Sequence, residues 1–373
     1  MLAKVTISTW GAYAPYLFIN LLFVLKYTQR VTPYYVGIGA LYVLAGVLLL
    51  YAMRWGMQKI KHSTYIGLSL LVALLLGGLW LQSAINPYDL QVDRWSAIHF
   101  FWDELFRGNY PYTAGTHLGG YASPFPVWQL FHFPFYVLGN VGLSVFFVTA
   151  LFCWVVYKAY GAKTTLLVTC LLCLSPAYWY EVVVRSDLIT NLLLVATLVV
   201  WLQHKKITLS AHIVGLGCMM GLLASTRFIA LIPMAVLYGK QFLQLSFKQQ
   251  CTFVMVALLV FVFTFLPFLC WEGSTLLFFQ YNPFVLQTRQ GSWLVLLLFA
   301  CVAIFSVLYF SGKQQSVYAL IGYLLTLLVV LAFAEKMLLN HAWTMLFTSM
   351  FDITYFSAAL PFYCLYTGIY ASK

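Results

Sequence analysis

Long runs of apolar residues, separated by short polar breaks, make up most of the chain. Most of these runs approach the roughly 20 residues with which an α-helix crosses a bilayer. None shows the ten-residue alternation of a membrane β-strand. The pattern therefore predicts an all-α, polytopic transmembrane protein with about 11–13 membrane helices and a long first extracytoplasmic loop. The predicted spans are residues 10–27, 34–53, 65–85, 141–157, 164–180, 188–203, 209–224, 227–239, 251–270, 293–311, 316–334 and 351–371.

Two apolar regions depart from this pattern. The segment 124–139 contains Pro124, Pro126 and Pro134, which interrupt helical hydrogen bonding, so we expect an interfacial or re-entrant segment there. The stretch 209–239 is short for two full crossings. It predicts two half-length helices that meet inside the membrane, an arrangement that is tolerated where the helix ends line a cavity.

The pattern also predicts a single membrane-embedded domain over residues 1–373. It would comprise two N-terminal helices at 1–64, a core at 65–240 that includes an outer loop at 86–123, and C-terminal helices at 241–373. The two halves of the chain do not match each other, whereas a transporter built on inverted repeats would be expected to show matching halves.

The composition supports a lipid environment. The chain is 63% hydrophobic with a mean hydropathy of +0.90, against roughly 45–50% apolar residues in soluble domains. The net charge of +11 is spread over single residues, which excludes a nucleic-acid partner. If the N-terminus is inside, the inside loops hold twelve of the twenty basic residues, as the positive-inside rule expects. These are Lys4, Arg54, Lys59, Lys61, Lys158, Lys163, Lys205, Lys206, Lys240, Lys248, Lys313 and Lys373.

All nine acidic residues then fall on the opposite side or at that interface. They are Asp89, Asp93, Asp103, Glu104, Glu181, Asp187, Glu272, Glu335 and Asp352. Because acidic residues contribute little to membrane orientation, this one-sided distribution calls for another cause. We expect an active site on the extracytoplasmic side of an integral membrane protein. The absence of any N-x-[ST] sequon favours a bacterial plasma membrane.

The stretch NPYDLQVDRW (86–95) places two carboxylates directly after an apolar run. If residues 88–107 are helical, Asp89 and Asp93 share one face, near His99. Two neighbouring carboxylates disfavour each other's charged form, which suits one of them to take a proton from a hydroxyl. The alternative is a solvated helix face on which Asp93 pairs with nearby loop cations.

The order of residues in this loop resembles the first outer loop of the GT-C superfamily, and most closely its mannosyltransferase-type branch. The matching positions are D-L-Q-V-D at 89–93, Gly108, Pro111, Tyr112, Tyr121, Pro124 and Pro126. The resemblance implies an integral-membrane glycosyltransferase that uses polyprenyl-phosphate sugars. Asp93 stands where that branch has an aromatic residue, so the catalytic base is either Asp89, which the motif order favours, or Asp93.

Three arginines are candidates for binding the donor phosphate. Arg227 lies between two apolar half-spans, where a charge is costly and is functional by default. The alternative is an interfacial arginine that reaches to water. The resemblance implies a cation between two such short helices, near the lipid phosphate. Arg185 and Arg289 lie in other outer turns, and a guanidinium matches phosphate oxygens with two parallel hydrogen bonds. The loop that contains Arg289 could equally be an aromatic belt.

The remaining site predictions concern substrate contacts and cofactors. The candidate substrate-binding residues are Tyr88, His99, Tyr112, Tyr121, Glu181 and Asp187. Asp187 has the alternative of an N-terminal helix cap. No cofactor is expected. A divalent metal at His99, His117 or His132 with nearby acids is possible but not indicated, since no tight ligand spacing is present.

These observations lead to one principal hypothesis and two alternatives. The principal one is an inverting glycosyltransferase that moves a sugar from a polyprenyl-phosphate donor to a hydroxyl of a lipid, glycan or protein acceptor. The resemblance implies mannose. A transporter or flippase for a polar lipid or solute would need ionisable groups accessible from both faces, whereas the acids here fall on one side. A membrane polysaccharide polymerase or ligase would be expected to carry its large outer loop later in the chain.

Overall fold

The computed structural model describes residues 7–57, 60–289, 291–310, 315–348 and 351–372. About 80% of the chain is helical, and no β-strand occurs among these residues. The prediction of an all-α polytopic membrane protein is thereby confirmed at that level. Four of the lysines assigned to inside loops, Lys4, Lys59, Lys313 and Lys373, lie outside the described residues.

Sixteen α-helices make up the described part of the chain. They are α1 (Ile7–Thr28), α2 (Tyr35–Met57), α3 (Ser63–Ala84), α4 (Arg94–Phe106), α5 (Pro126–Val137), α6 (Ser144–Tyr160), α7 (Ala162–Cys173), α8 (Pro176–Val183), α9 (Asp187–His204), α10 (Ile213–Ala224), α11 (Leu231–Gln244), α12 (Phe247–Phe278), α13 (Pro283–Thr288), α14 (Trp293–Tyr309), α15 (Ser316–Leu339) and α16 (Leu360–Ala371). Short 3-10 turns fall at Pro87–Asp89, Pro111–Thr113, Val141–Leu143, Phe228–Ala230, Trp343–Leu346 and Ile353–Ala359.

Six helices in the described residues are long and apolar enough to cross a membrane, or seven if one bent pair is a single span. The expected count of 11–13 is not reached by this criterion, because several predicted spans are shorter helices. Residues 209–239 form short helices on either side of a break at 225–230, as the half-length prediction expected. The predicted span 164–180 contains a break, since α7 and α8 are bent by 68°, and the pair is either a broken span or a re-entrant loop.

The chain divides into two compact units that alternate along the sequence. The first unit contains residues 1–80, 149–181 and 311–373, and the second contains residues 81–148 and 182–310. These boundaries differ from the divisions at 64 and 240 that the sequence suggested. The single membrane domain stays a prediction.

A polar contact fixes the bend between α7 and α8 within the first unit. Pro176 begins α8, and the residue before a proline avoids helical geometry, which ends α7. The Asn20 side-chain oxygen of α1 accepts hydrogen bonds from the Ser175 hydroxyl at 2.6 Å and from the Ala177 amide at 3.1 Å. All three residues are buried, so water does not reach the break. These hydrogen bonds instead satisfy polar groups that the interrupted helix leaves unpaired.

Two glycines let α10 and α12 pack closely in the second unit. A Cβ at Gly221 would lie 2.5 Å from the carbonyl oxygen of Ala257, and one at Gly217 would lie 3.1 Å from that of Phe253. Gly217 and Gly221 are four residues apart and so lie on one helix face, which forms the small-residue surface common at membrane helix interfaces.

The helix that follows NPYDLQVDRW begins later than predicted. Residues Pro87–Asp89 form a 3-10 turn capped by Asn86, and α4 starts only at Arg94. The prediction that Asp89 and Asp93 share one helix face is therefore wrong. Gly108 follows α4 with a φ of +80°, a left-handed conformation that glycine adopts readily, and the chain turns there.

The proline-containing segment 124–139 holds a single helix, α5. Pro126 stands at its first turn, where no amide donor is needed, and Pro134 lies inside it. The helix has 12 residues, which gives it a length of roughly 18 Å, less than the hydrocarbon thickness of a bilayer. Its interfacial or re-entrant position stays a prediction.

Candidate functional site

The first polar loop, residues 86–123, folds back onto the start of α4. The Asp93 carboxylate accepts a hydrogen bond from the Thr116 hydroxyl at 2.6 Å, and that hydroxyl oxygen accepts one from the Gly120 amide at 2.8 Å. A Cβ at Gly120 would lie 2.5 Å from the same carboxylate oxygen, so only glycine leaves room for this contact. The loop therefore holds the Asp93 carboxylate at a defined, half-buried position.

Asp89 has a different environment from Asp93. It is exposed at the end of the 3-10 turn, and its carboxylate makes no hydrogen bond with any residue that the structure describes. Its main-chain amide donates a hydrogen bond to the Asn86 carbonyl oxygen at 3.3 Å. The two carboxylates predicted to act together thus differ in exposure and in how firmly they are held.

Aromatic rings surround the start of α4. Tyr88 is 53% exposed and meets the Trp95 ring edge-on at 5.0 Å, while the His117 ring lies 5.3 Å from that of Trp95. The Ser96 hydroxyl lies 2.7 Å from Nδ1 of His117 and donates to the main-chain carbonyl of Asp93. The predicted contact residue Tyr88 is therefore accessible and adjoins the loop that holds Asp93.

A buried ion pair lies at the start of α9. Oδ2 of Asp187 accepts hydrogen bonds from Nε and Nη2 of Arg227 at 3.0 and 2.5 Å, and from the indole nitrogen of Trp128 at 2.8 Å. Asp187 is 2% exposed, Arg227 7% and Trp128 0%. Burial in a medium of low dielectric strengthens this attraction and makes it costly to remove either charge alone.

Three elements must meet to form this pair. Ser186 caps α9 through its side chain, which leaves the Asp187 carboxylate, at the first helical position, free to bind elsewhere. The start of α5, which carries Trp128, is tied to the break after α10 by main-chain hydrogen bonds from Phe125 to Thr226 and from Val127 to Ser225. Arg227 directly follows these two carbonyls, so the same contacts fix its position.

His132 lies on α5 one turn after Trp128 and is fully buried. Its Nδ1 is 2.9 Å from the Trp128 carbonyl, which can only accept, so Nδ1 carries the proton. Nε2 then accepts from the Ser144 hydroxyl at 3.0 Å. Burial lowers the pKa of His132 to about 4, because the charged imidazolium would lose its hydration. The ring is therefore neutral at physiological pH and fixes α5 against the start of α6.

Arg94 connects the first polar loop to α9. Its Nη1 donates to the Ser186 hydroxyl at 3.0 Å, and its charge is close enough to act on Asp187. Because Arg94 directly follows Asp93, this bond brings the loop carboxylate and the Asp187–Arg227 pair into one region of the second unit. The sequence reasoning did not select Arg94.

Arg185, the second predicted phosphate ligand, is committed to the main chain. Its Nη2 donates to the Gln82 carbonyl at 2.7 Å, and its backbone has a φ of +52°, which is strained for an arginine. A Cβ at Gly142 would lie 2.7 Å from Cγ of Arg185, so the side chain lies directly over this glycine. These contacts with Gln82 and Gly142 hold the turn at 184–186 in place.

The other predicted contacts are dispersed. His99 and Asp103 approach to 3.7 Å, and Asp103 accepts from the Tyr136 hydroxyl at 2.8 Å. Tyr121 stacks on Tyr281 with ring centroids 5.1 Å apart. Arg289 is exposed at the end of α13, with no side-chain hydrogen bond to the described residues.

Tyr112 and Glu181 are both buried. Tyr112 is 1% exposed and packs edge-on against Phe101 and Phe268 at 5.0 and 5.2 Å, so the structure places it in the aromatic core instead of at a surface. Glu181 is 0% exposed and belongs to the first unit. Tyr112 is therefore not accessible to a substrate at the site in the second unit.

Trp128, His132 and Arg94 complete the site. The sequence pattern assigned no role to Trp128 or Arg94, and it indicated His132 only as a possible metal ligand. For Asp187 and Arg227 a signal existed: two opposite charges in apolar surroundings are expected to pair. Nothing local to Trp128 marks its indole as the third donor. Among the residues the structure describes, no group of three His, Cys, Asp or Glu side chains is arranged to hold a metal ion.

Comparison with known proteins does not identify the chain. No protein-family profile matches it, and no curated protein or solved structure is significantly similar to it.

Proposed function

We propose that this protein is an inverting membrane glycosyltransferase that moves a sugar from a polyprenyl-phosphate donor to an acceptor hydroxyl on the extracytoplasmic side. The observation that carries the proposal is the convergence of the first polar loop with two helix breaks. Asp93 and Arg94 begin α4, Arg94 donates to Ser186, and the adjacent Asp187 pairs with Arg227. A carboxylate and two guanidinium groups thus occupy one region next to apolar helices.

Asp93 is the better placed of the two candidate bases. General base catalysis requires a carboxylate at a fixed position within hydrogen-bond reach of the reacting hydroxyl. The Thr116 hydroxyl holds Oδ2 of Asp93, and Oδ1 has no hydrogen bond among the described residues. Asp89 is exposed and lacks such a holding contact. We assign the base to Asp93 and retain Asp89 as the alternative.

In the proposed reaction, Asp93 takes the proton of the acceptor hydroxyl. The oxygen then forms a bond to the anomeric carbon of the sugar from the face opposite the donor phosphate. The bond from that carbon to the phosphate oxygen breaks, and its electron pair leaves with the lipid phosphate. One displacement of this kind inverts the anomeric centre. Because the leaving group is a stable anion, it needs fixed positive charge more than a strong acid.

Arg227 and Arg94 would supply this positive charge. A guanidinium carries five N–H donors, and Asp187 engages only Nε and Nη2 of Arg227. The Nη1 donors remain for a second anion while Asp187 fixes the orientation of the group. The role of Arg227 thus becomes that of an oriented donor, since its charge is already shared with a carboxylate.

The aromatic residues at the loop suit a sugar acceptor or donor. Tyr88 and Trp95 adjoin the loop that holds Asp93, and an aromatic face packs well on the apolar face of a sugar ring. Mannose is the donor sugar that the GT-C resemblance suggests. The prenyl tail would lie against the apolar surface of the neighbouring helices.

The test is a transfer assay with purified protein. Radiolabelled polyprenyl-phosphate mannose and polyprenyl-phosphate glucose are supplied with lipid, glycan and peptide acceptors. We expect label in an acceptor, with an inverted anomeric centre, and at least a hundredfold loss with Asp93→Asn, in line with the size of general base effects. Glu104→Gln, which neutralises a partly exposed acid at the opposite end of α4 from Asp93, should keep full activity.

A second variant separates catalysis from loop structure. Asn at position 93 still offers an oxygen to the Thr116 hydroxyl, so the loop contact survives while basicity is lost. Thr116→Val removes the contact and keeps the carboxylate. We expect Thr116→Val to lose less than about tenfold. Equal losses in both variants would show that Asp93 only holds the loop. Absence of transfer from every lipid-linked sugar would refute the enzyme proposal.

A further inference from the structure

A cleft of about 280 Å³ opens between α3, α6 and α7 in the first unit. Its walls are largely apolar, with Leu68 and Leu71 on α3 and Trp154 on α6. Leu68 and Trp154 are 59% and 57% exposed, so the cleft is open at the side of the helices. In a membrane, such an opening faces lipid chains.

One end of the cleft is polar. Ser63, Thr64 and Tyr157 contribute hydroxyl groups there, and none of these makes a side-chain hydrogen bond with the described residues. This end coincides with the first turn of α3 and the last turn of α6. The apolar walls continue along α3 as far as Leu71, which is a length of about 12 Å at the helical rise per residue.

Three exposed lysines flank the polar end. Lys61 precedes the first turn of α3, Lys158 follows Tyr157 on α6, and Lys163 follows the lining residue Ala162 on α7. Lys158 is four residues after Trp154, so both lie on the same face of α6. All three lysines belong to the face that the charge distribution predicts to be cytoplasmic, where anionic lipids are concentrated.

From this geometry we propose that the cleft binds one anionic phospholipid. The headgroup phosphate lies among the three lysines and accepts hydrogen bonds from the hydroxyls of Ser63, Thr64 and Tyr157. One acyl chain lies along the apolar wall between Leu68 and Trp154. The positive charge of the lysines favours an anionic headgroup. The open apolar wall favours a ligand that carries an acyl chain over a free phosphate ion.

The test is native mass spectrometry of the intact purified protein in detergent. Dioleoyl phosphatidylglycerol and dioleoyl phosphatidylcholine carry the same chains, so their difference reports on headgroup charge. We expect one tightly bound phosphatidylglycerol, at least tenfold tighter than phosphatidylcholine. Inorganic phosphate in excess should not displace it. Equal affinity for the two lipids, or displacement by phosphate, would overturn the proposal.

Matched variants locate the site on the protein. The triple variant Lys61→Gln, Lys158→Gln and Lys163→Gln should weaken phosphatidylglycerol binding at least tenfold, since each lysine near a membrane surface contributes about fivefold. The control removes the same charge elsewhere, with Lys205→Gln, Lys206→Gln and Lys248→Gln, and should bind normally. A loss in the control equal to that in the triple variant would overturn the assignment to this cleft.

A third measurement follows the acyl chain. Phosphatidylglycerol with brominated chains should quench the fluorescence of Trp154 because its ring lines the cleft. The brominated lipid should therefore quench the wild type more than Trp154→Phe at equal occupancy. Ala150→Phe narrows the cleft and should lower lipid occupancy while the melting temperature is retained. Quenching that is identical in the wild type and Trp154→Phe would place the chain elsewhere and overturn the proposal.

Discussion

Replacing Arg227 with methionine should strongly destabilise the protein, because the Asp187 carboxylate then remains buried without its cation. Asp187 is 2% exposed and accepts three hydrogen bonds on one oxygen, two of them from Arg227. Hydrogen bonds to charged groups contribute roughly 1.5–3 kcal/mol each. The loss of two agrees with the roughly 3–5 kcal/mol measured when one partner of a buried ion pair is removed.

The double variant Asp187→Asn with Arg227→Met should recover most of this loss. Asparagine still accepts the indole hydrogen of Trp128, and no charge remains buried. Replacing both members of a buried pair with neutral groups is often nearly neutral in stability. We expect the double variant to lie within about 2 kcal/mol of the wild type. With the single variant Asp187→Asn measured as well, the coupling between the two sites should exceed about 1 kcal/mol.

Thermal unfolding in detergent, followed by circular dichroism, measures these effects. At about 2–4 °C per kcal/mol, Arg227→Met should lower the melting temperature by roughly 6–20 °C. Arg289→Met removes an exposed arginine and should change it little. If the double variant melted no higher than Arg227→Met, removal of the buried carboxylate would recover no stability, and an unpaired charge would be refuted as the cause of the loss.

Three further changes test the packing and titration of the structure. Gly221→Ala should lower the melting temperature clearly, because its Cβ would lie 2.5 Å from the carbonyl oxygen of Ala257. Gly142→Ala should cost about 1–3 kcal/mol by forcing Arg185 from its position, also seen as a lower melting temperature. Unfolding free energy should fall as pH drops from about 6.5 to about 4, because the unfolded chain binds a proton that buried, neutral His132 excludes.

The first and third of these changes have matched controls. Gly215→Ala adds a methyl group to α10 where nothing lies within 4 Å, so it should not lower the melting temperature. A similar loss for Gly215→Ala and Gly221→Ala would contradict the packing argument. His132→Gln should flatten the pH dependence by up to about 3 kcal/mol between pH 6.5 and 4. An unchanged pH profile in His132→Gln would show that another group is responsible.

The helices were largely predictable because apolar runs and prolines act locally. Residues 188–203 were expected as a span and form Asp187–His204, and 34–53 corresponds to Tyr35–Met57. The break inside the predicted span 164–180 does not show in the apolar run itself. The dipeptide Ser175–Pro176 was the available signal, since a residue before proline is driven out of helical geometry.

The start of α4 was mispredicted for a similar local reason. Pro87 at the first position of a 3-10 turn and Asn86 as its cap indicate a turn before the helix. Asp93 is a residue type that often precedes the first helical turn, which is where the structure places it. With these signals, Asp89 and Asp93 would not have been assigned to one face.

The pairing at the candidate site was beyond sequence reasoning because it joins distant positions. Asp187 and Arg227 are 40 residues apart, and Trp128 is 59 residues from Asp187. Arg227 stood out by its apolar surroundings and Asp187 by its place at a helix start, yet only the folded chain shows that the two charges pair. The predicted binding of a phosphate by Arg227 therefore has to involve a guanidinium that a carboxylate already holds.

The kink at Glu272 divides α12 into a long and a short part. The part before the kink, residues 247–271, is roughly 37 Å of helix, while the hydrocarbon layer is about 30 Å thick. If the predicted span 251–270 crosses the bilayer, the chain after the kink lies at the boundary between lipid and water. That part leads to Phe279 and Tyr281, whose rings meet Tyr121 of the first polar loop. We expect this aromatic cluster to lie at the membrane interface, where tyrosine rings are favoured.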